Sequence, residues 1–173
     1  MSNQATNGND VLIGSFQADE IKAGQGNDVV YALAGADNVN GNAGDDFVSG
    51  GFGDDKLKGE DGNDVLLGGA GDDIIFGGEG SDWIVGGFGN DILYGTNRSN
   101  TDGDMDVFVF GKFDGNDEVR NFEVGVDKIS LIGLFGSPTF AYDADKGHTT
   151  MTWGQTEVLF KYAFVDEDSL LIA

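Results

Sequence analysis

Residues 68–94 read GGAGDDIIF, GGEGSDWIV, GGFGNDILY, three consecutive nine-residue units of the form G-G-x-G-x-D-x-U-x with U aliphatic. Followed upstream, the same beat extends over ten units. Its acid stands at Asp10, Asp19, Asp28, Asp37, Asp46, Asp55, Asp64, Asp73, Asp82 and Asp91 without a break. Two residues after each comes Leu12, Ile21, Val30, Val39, Val48, Leu57, Leu66, Ile75, Ile84 or Leu93; two residues before each comes Gly, except at Gln17. A short fixed period over half a chain marks a repeat architecture, in which each unit can bury its apolar side only against its neighbours.

The positions have separable tasks. Glycine lets the backbone enter positive-φ turns and leaves carbonyl oxygens uncovered by side chains. The x-U-x triplet supports a very short strand, its central residue facing one way and the two flanking residues the other. Such a strand is too short to stand alone and must stack on those of neighbouring units. Turn and strand repeated in this way wind a parallel helix of β-strands.

The acid carries the chemistry. A turn role alone would admit Asn or Ser, as the preceding position does with Asn9, Asp45 and Ser81, yet Asp recurs in ten of ten units. Stacked about 4.8 Å apart, these carboxylates repel unless a cation lies between them. Residues 1–95 hold 17 acids and only 3 bases, so side chains cannot supply it. Ca²⁺ takes six to eight oxygen ligands and accepts backbone carbonyls, whereas Mg²⁺ is smaller and keeps its waters. Carboxylates alternating with exposed carbonyls therefore predict Ca²⁺.

Composition removes other classes. The 173 residues carry 31 Asp and Glu against 9 Lys and Arg, a net charge of -22, which argues against phosphate-backbone recognition and hence nucleic acid. With no Cys and the single His148, neither disulfides nor a Cys- or multi-His zinc centre can form. No apolar run approaches the roughly 18 residues of a membrane span. Residues 1–20 lack the basic start and apolar stretch of a secretory leader, so export is expected to use another address. H-E-x-x-H, G-x-S-x-G and Walker motifs are absent, and the many carboxylate pairs follow the nine-residue period, so no catalytic residue is expected.

On these motifs, about residues 5–95 resemble the RTX (repeats-in-toxin) family of type I-secreted bacterial proteins. The resemblance implies a right-handed parallel β-roll, two units per 18-residue coil, with one Ca²⁺ between each turn and the turn 18 residues later. It implies that the earlier turn supplies the carbonyls of its second and fourth positions plus its Asp. The later turn supplies the carbonyls of its first and third positions plus its Asp. Gly24, Gly26 and Asp28 would then face Gly41, Ala43 and Asp46. Gly51, Gly53 and Asp55 would face Gly68, Ala70 and Asp73, and Gly69, Gly71 and Asp73 would face Gly86, Phe88 and Asp91. The same rule names Gly44 and Gly62 at the fourth position, and Gly50, Phe52, Gly59, Asp61, Gly77 and Glu79 at the first and third. Pairs 10/28 through 73/91 give about eight ions. The front departs from the pattern at Gln17, Ala18, Ala23, Ala32, Leu33 and Ala36, so sites using turns 15–19 and 32–37 are expected to be weaker. Phe16, Phe52 and Phe88, spaced 36 residues apart, are expected on one side of the roll.

Residues 96–173 lose the period: DVFVF (106–110), DKISLI (127–132), HTTMTW (148–153) and EVLFKYAFV (157–165) predict an ordinary antiparallel β cap. The stretch 106–132 is similar to the region after the repeats in RTX proteases, lipases and epimerases, with Asn121 and Ser130 as departures and Asp106, Asp117 and Asp127 as candidate further ligands. The ending VDEDSLLIA (165–173) is similar to the family's C-terminal secretion signal. The resemblance thus implies a non-catalytic, secreted, extracellular or cell-surface module that folds on calcium outside the cell. Its partners would be the type I secretion machinery and a fused N-terminal domain. Alternatives are a polysaccharide (alginate)-binding module of an epimerase, which should show a basic groove, or an adhesin or surface-layer segment that self-associates.

Overall fold

The computed structural model describes residues 5–96, 103–111, 113–133, 137–153, 155–161, 163 and 165–170. Each x-U-x triplet forms a strand that usually runs on into the next turn. β1 (Val11–Ile13), β3 (Val29–Ala34), β5 (Phe47–Phe52), β7 (Val65–Ala70), β9 (Trp83–Phe88), β11 (Val107–Phe110) and β13 (Lys128–Leu131) make one 7-stranded sheet in that order. The second, 9-stranded sheet takes β2 (Glu20–Gln25), β4 (Asn38–Ala43), β6 (Lys56–Asp61), β8 (Ile74–Glu79), β10 (Ile92–Tyr94) and β12 (Asn116–Arg120). It ends in β16 (Thr156–Phe160), β15 (His148–Trp153) and β14 (Thr139–Asp143).

Within the repeats every pairing is parallel, at a register of 18 residues: Val30 lies beside Val48, and Val39 beside Leu57. Odd units therefore build one sheet and even units the other, and the U residues meet between them. Val30, Val39, Val48, Leu57, Leu66, Ile75, Ile84 and Leu93 are fully buried in one continuous core. No helix among the described residues is long and apolar enough to cross a membrane.

Both sheets cross residue 95 without a seam. β11 pairs with β9 and β12 with β10, still parallel, and β13 and β16 add one more strand each. Antiparallel pairing begins only at the end, between β14, β15 and β16. The parallel roll thus extends well into the part where the lost period predicted an antiparallel cap. Aromatics take over from aliphatics there: Phe122 packs edge-on against Phe160, with ring centres 5.2 Å apart, and Phe108 lies 5.8 Å from Phe122.

Alternation in the strands leaves two outward rows on each sheet. On the 7-stranded sheet, one row runs Val11, Val29, Phe47, Val65, Trp83 and the other Ile13, Tyr31, Ser49, Leu67, Val85. On the 9-stranded sheet one row runs Lys22, Asn40, Lys58, Phe76, Tyr94, Arg120. The turn edge bearing Phe52 and Phe88 alternates them with Ala34 and Ala70 in register, and Phe16, Phe52 and Phe88 are all exposed.

Candidate metal centres

From Asp28 onward, each repeat Asp is held by the preceding layer. The N–H of Asp28 donates to Oδ1 of Asp46 at 2.7 Å, that of Asp46 to Asp64 at 2.8 Å, and that of Asp73 to Asp91 at 2.8 Å. The same bond recurs up the array and orients the carboxylates from Asp28 to Asp91 along the turn column. Its second oxygen is treated differently. Oδ2 of Asp28, Asp37, Asp46, Asp55, Asp64, Asp73 and Asp91 is buried and accepts no hydrogen bond. A buried carboxylate oxygen left without a donor is costly unless a cation meets it.

The glycines show where that oxygen lies. A Cβ added to Gly68 would stand 2.2 Å from Oδ2 of Asp73 and 2.5 Å from the carbonyl oxygen of Gly86 in the next layer. Gly41, Gly50, Gly59 and Gly77 repeat this with Asp46, Asp55, Asp64 and Asp82 and the first-position carbonyls one layer on. The earlier Asp and the later first-position carbonyl therefore converge on space that any side chain would fill. At the fourth position, Gly44 has φ 125°, and a Cβ there would sit 2.2 Å from the carbonyl oxygen of Gly26. Carbonyls of the earlier turn thus point at the later one. The third-position carbonyls of Ala43, Phe52, Asp61, Ala70, Glu79 and Phe88 each accept one N–H at 2.8–2.9 Å, which leaves a second lone pair. Among the described residues no three acidic or imidazole side chains converge, so each centre offers two carboxylates and must draw its other oxygens from the backbone.

Burial, with repulsion between layers added, lifts the carboxyls of Asp64 and Asp73 to about 7 and those of Asp46, Asp55 and Asp91 to about 6; the N–H from the preceding Asp offsets part of this. Asp37 is raised in the same direction by burial. A hard divalent cation answers burial, repulsion and the missing donor together, and the oxygen-only ligand set suits Ca²⁺.

The front differs in its own way. Oδ2 of Asp10 accepts from the N–H and hydroxyl of Thr6 at 2.6 and 2.9 Å, and Oδ2 of Asp19 from those of Ser15 at 2.6 and 2.8 Å. Turn 32–37 instead keeps the shape of the array: Leu33 adopts φ 84° where glycine usually stands, and Asn42 and Glu60 do the same at 79° and 82°.

The column also continues where the period fails. The N–H groups of Asp82, Asp91 and Asp106 donate to Oδ1 of Asp106, Asp117 and Asp127 at 2.9, 3.0 and 3.1 Å, across separations of 24, 26 and 21 residues. Gly95 serves Asp106 as Gly68 serves Asp73, the absent Cβ lying 2.2 Å from Oδ2; the Oδ2 of Asp117 is buried without a donor. Gly95 and Gly115 were not anticipated as part of the sites. The readable signal was G-x-D-x-U itself, present as GNDEV (115–119) and GVDKI (125–129), once equal spacing is no longer demanded.

A second feature was also missed. Five of the 9 bases (Lys22, Lys56, Lys58, Arg120 and Lys161) lie on the outer face of the 9-stranded sheet. Phe76 and Tyr94 stack there at 4.4 Å and 13°; Lys56 and Lys58 lie 5.8 and 5.9 Å from the Phe76 ring, and Arg120 lies 5.4 Å from that of Tyr94. Glu20, Glu60 and Glu118 pair with Lys22, Lys58 and Lys161 at 3.0, 3.2 and 2.8 Å. A sum over the chain hides this concentration.

The chain is similar to two solved structures and to one repeat family. The fold is similar to an extracellular lipase, LipA, from Serratia marcescens, at 17% identity and TM-score 0.39 over 98% of this chain and 39% of the lipase; the chain thus spans about two-fifths of that protein. It is also similar to the AlgE6R3 subunit of the Azotobacter vinelandii mannuronan C5-epimerase, at 20% identity and TM-score 0.33 over 97% of this chain and 80% of that one. No curated protein matches. The RTX calcium-binding nonapeptide repeat matches in four copies, at residues 4–39, 31–66, 40–75 and 67–97. The chain belongs to the RTX calcium-binding nonapeptide repeat family.

Proposed function

We propose that the chain is a non-catalytic calcium-folded module of a type I-secreted bacterial protein, with residues 1–95 as the repeat part of the ion-binding roll and 96–173 as the part that carries the roll on and closes it with an antiparallel cap. The observation that carries this reading is the column of buried Asp Oδ2 atoms without a donor, which at Asp46, Asp55, Asp64 and Asp73 converge with a backbone carbonyl of the next layer. Without calcium the layers repel and each carboxylate bears its desolvation; in calcium-rich surroundings outside the cell the roll closes. The ligands are the Asp pairs 10/28 through 73/91 with the carbonyls named above, and the column adds 82/106 and 91/117. Ten ions of charge +2 would bring about +20 against -22, leaving the folded protein close to neutral. The secretion reading also draws on the ending 165–173, of which residues 171–173 lie outside the described residues. Circular dichroism during calcium titration tests the switch. A gain of β signal with Ca²⁺ and not with Mg²⁺ is expected; an equal response to both, or none, sinks it.

The basic and aromatic face of the 9-stranded sheet favours a second role, binding a carboxylated polysaccharide. Its cations recur along a row of about 24 Å over five strand steps, with a stacked ring pair suited to sugar faces. Binding of an oligouronate that is lost in Lys58→Glu but kept in a variant of the opposite sheet is the expected result.

A further inference from the structure

The outer face of the 7-stranded sheet is the reverse of its neighbour. From β1 to β9 its two rows offer ten outward positions without one charge, in a chain of net charge -22. Val11, Ile13, Tyr31 and Trp83 are 66, 55, 42 and 40% exposed. In the next layer the same rows continue as Val107 and Val109, which are only 5 and 3% exposed. The chain therefore covers this apolar face at β11 and leaves it open over five strands. The uncharged turn row of Phe52, Ala70 and Phe88 runs alongside it.

We propose that this face is the interface between two copies of the chain, packed sheet against sheet. The proposal rests on the calcium reading, because only the folded roll presents the rows. A second copy is the fitting occupant for three reasons. It carries the same ladder of about 4.8 Å per layer, so ridges and grooves match along the whole face. It brings no charge to the contact, and the ions bound in the turn columns reduce the repulsion between the two acidic rolls. Side-chain sizes also complement one another. A two-fold axis along the roll sets one row against the other layer by layer, placing Phe47 opposite Ser49, Trp83 opposite Val85 and Tyr31 opposite Val29.

The area suffices. Four strands of six residues and β1 of three, at about 4.8 Å between strands and about 3.3 Å per residue, give a flat footprint of about 430 Å² per copy. The corrugated surface is larger, and the turn row of Phe52 and Phe88 adds to it, so a pair buries about 1,000 Å², the lower limit for specific association.

Sedimentation equilibrium of the full chain over about 1–100 μM, with circular dichroism on the same samples, tests this. In calcium the mass is expected to rise to twice 18.2 kDa, and to return to 18.2 kDa in chelator. Trp83→Glu and Tyr31→Glu should each give a monomer whose calcium-induced β signal equals that of the wild type, while Asn40→Glu on the opposite sheet stays dimeric. Val11→Lys on the edge strand serves if either of the first two fails to fold. A wild-type chain that folds with calcium yet stays at 18.2 kDa overturns the proposal. So does a dimer that survives these substitutions, or one that is broken by Asn40→Glu. Absence of the calcium-induced β signal speaks instead against the calcium reading.

Discussion

Replacing Gly68 by Ala isolates the ion cradle from the fold. Gly68 is outside the positive-φ set, and the same motif position is naturally Ala at Ala23 and Ala32, both fully buried within β2 and β3, where by the same geometry the ions of pairs 28/46 and 37/55 are expected to be held more weakly. The added methyl carbon would stand 2.2 Å from Oδ2 of Asp73 and 2.5 Å from the Gly86 carbonyl oxygen, two oxygens assigned to the ion between turns 73 and 91. With the layers parted in chelator these contacts are not made, so the substitution should leave the metal-free chain unharmed. With a Kd of ~0.5 mM, in the range of extracellular calcium modules, an ion at ~10 mM calcium contributes RT ln 21, about 1.8 kcal/mol. Urea unfolding of Gly68→Ala in calcium should show at least that loss, its circular dichroism in chelator should match the wild type, and titration calorimetry should count one ion fewer or one ion markedly weakened. Unchanged stoichiometry with an unchanged calcium-loaded midpoint would refute the cradle.

Asp64→Asn keeps an oxygen to accept the Asp46 N–H but removes a charge shared by pairs 46/64 and 64/82. Two ions and roughly 3–4 kcal/mol of calcium-dependent stability should go, read from calorimetry and urea midpoints. In pH, the raised carboxyls of Asp46, Asp55, Asp64, Asp73 and Asp91 favour the folded metal-free roll below the unfolded value of 3.8, and that support is lost as pH rises through about 6 to 7. Metal-free protein should thus show more β signal at pH 5 than at 7.5, while calcium affinity weakens over the same descent because protons compete for the ligands; the opposite order in dichroism defeats the assignment. Ser15→Gly removes the hydroxyl that occupies Oδ2 of Asp19, so the weakest calorimetric phase should tighten.

The ten-fold Asp period determined the roll, its two-sheet division and its buried U ladder, because one strand and one turn per nine residues leave the chain few other ways to bury Val30 or Leu57. It also determined the ion, since Asp without a nearby base is a local and repeated fact. Three things waited for the tertiary structure. Asp106, Asp117 and Asp127 continue the carboxylate column at unequal separations, because loops of any length can return a strand to the same register. Front and rear turns differ through hydroxyls of Thr6 and Ser15 that bond within their own turn, a matter of rotamer rather than period. Most of all, the residues flanking U looked interchangeable along the chain, yet register sorts them by alternate units. Val11, Phe47 and Trp83 are placed on one sheet and Lys22, Asn40, Lys58 and Tyr94 on the other, so the roll has one uncharged face and one basic, aromatic face. Which residues share a face is set by neighbours 18 positions away, and only stacking brings them together.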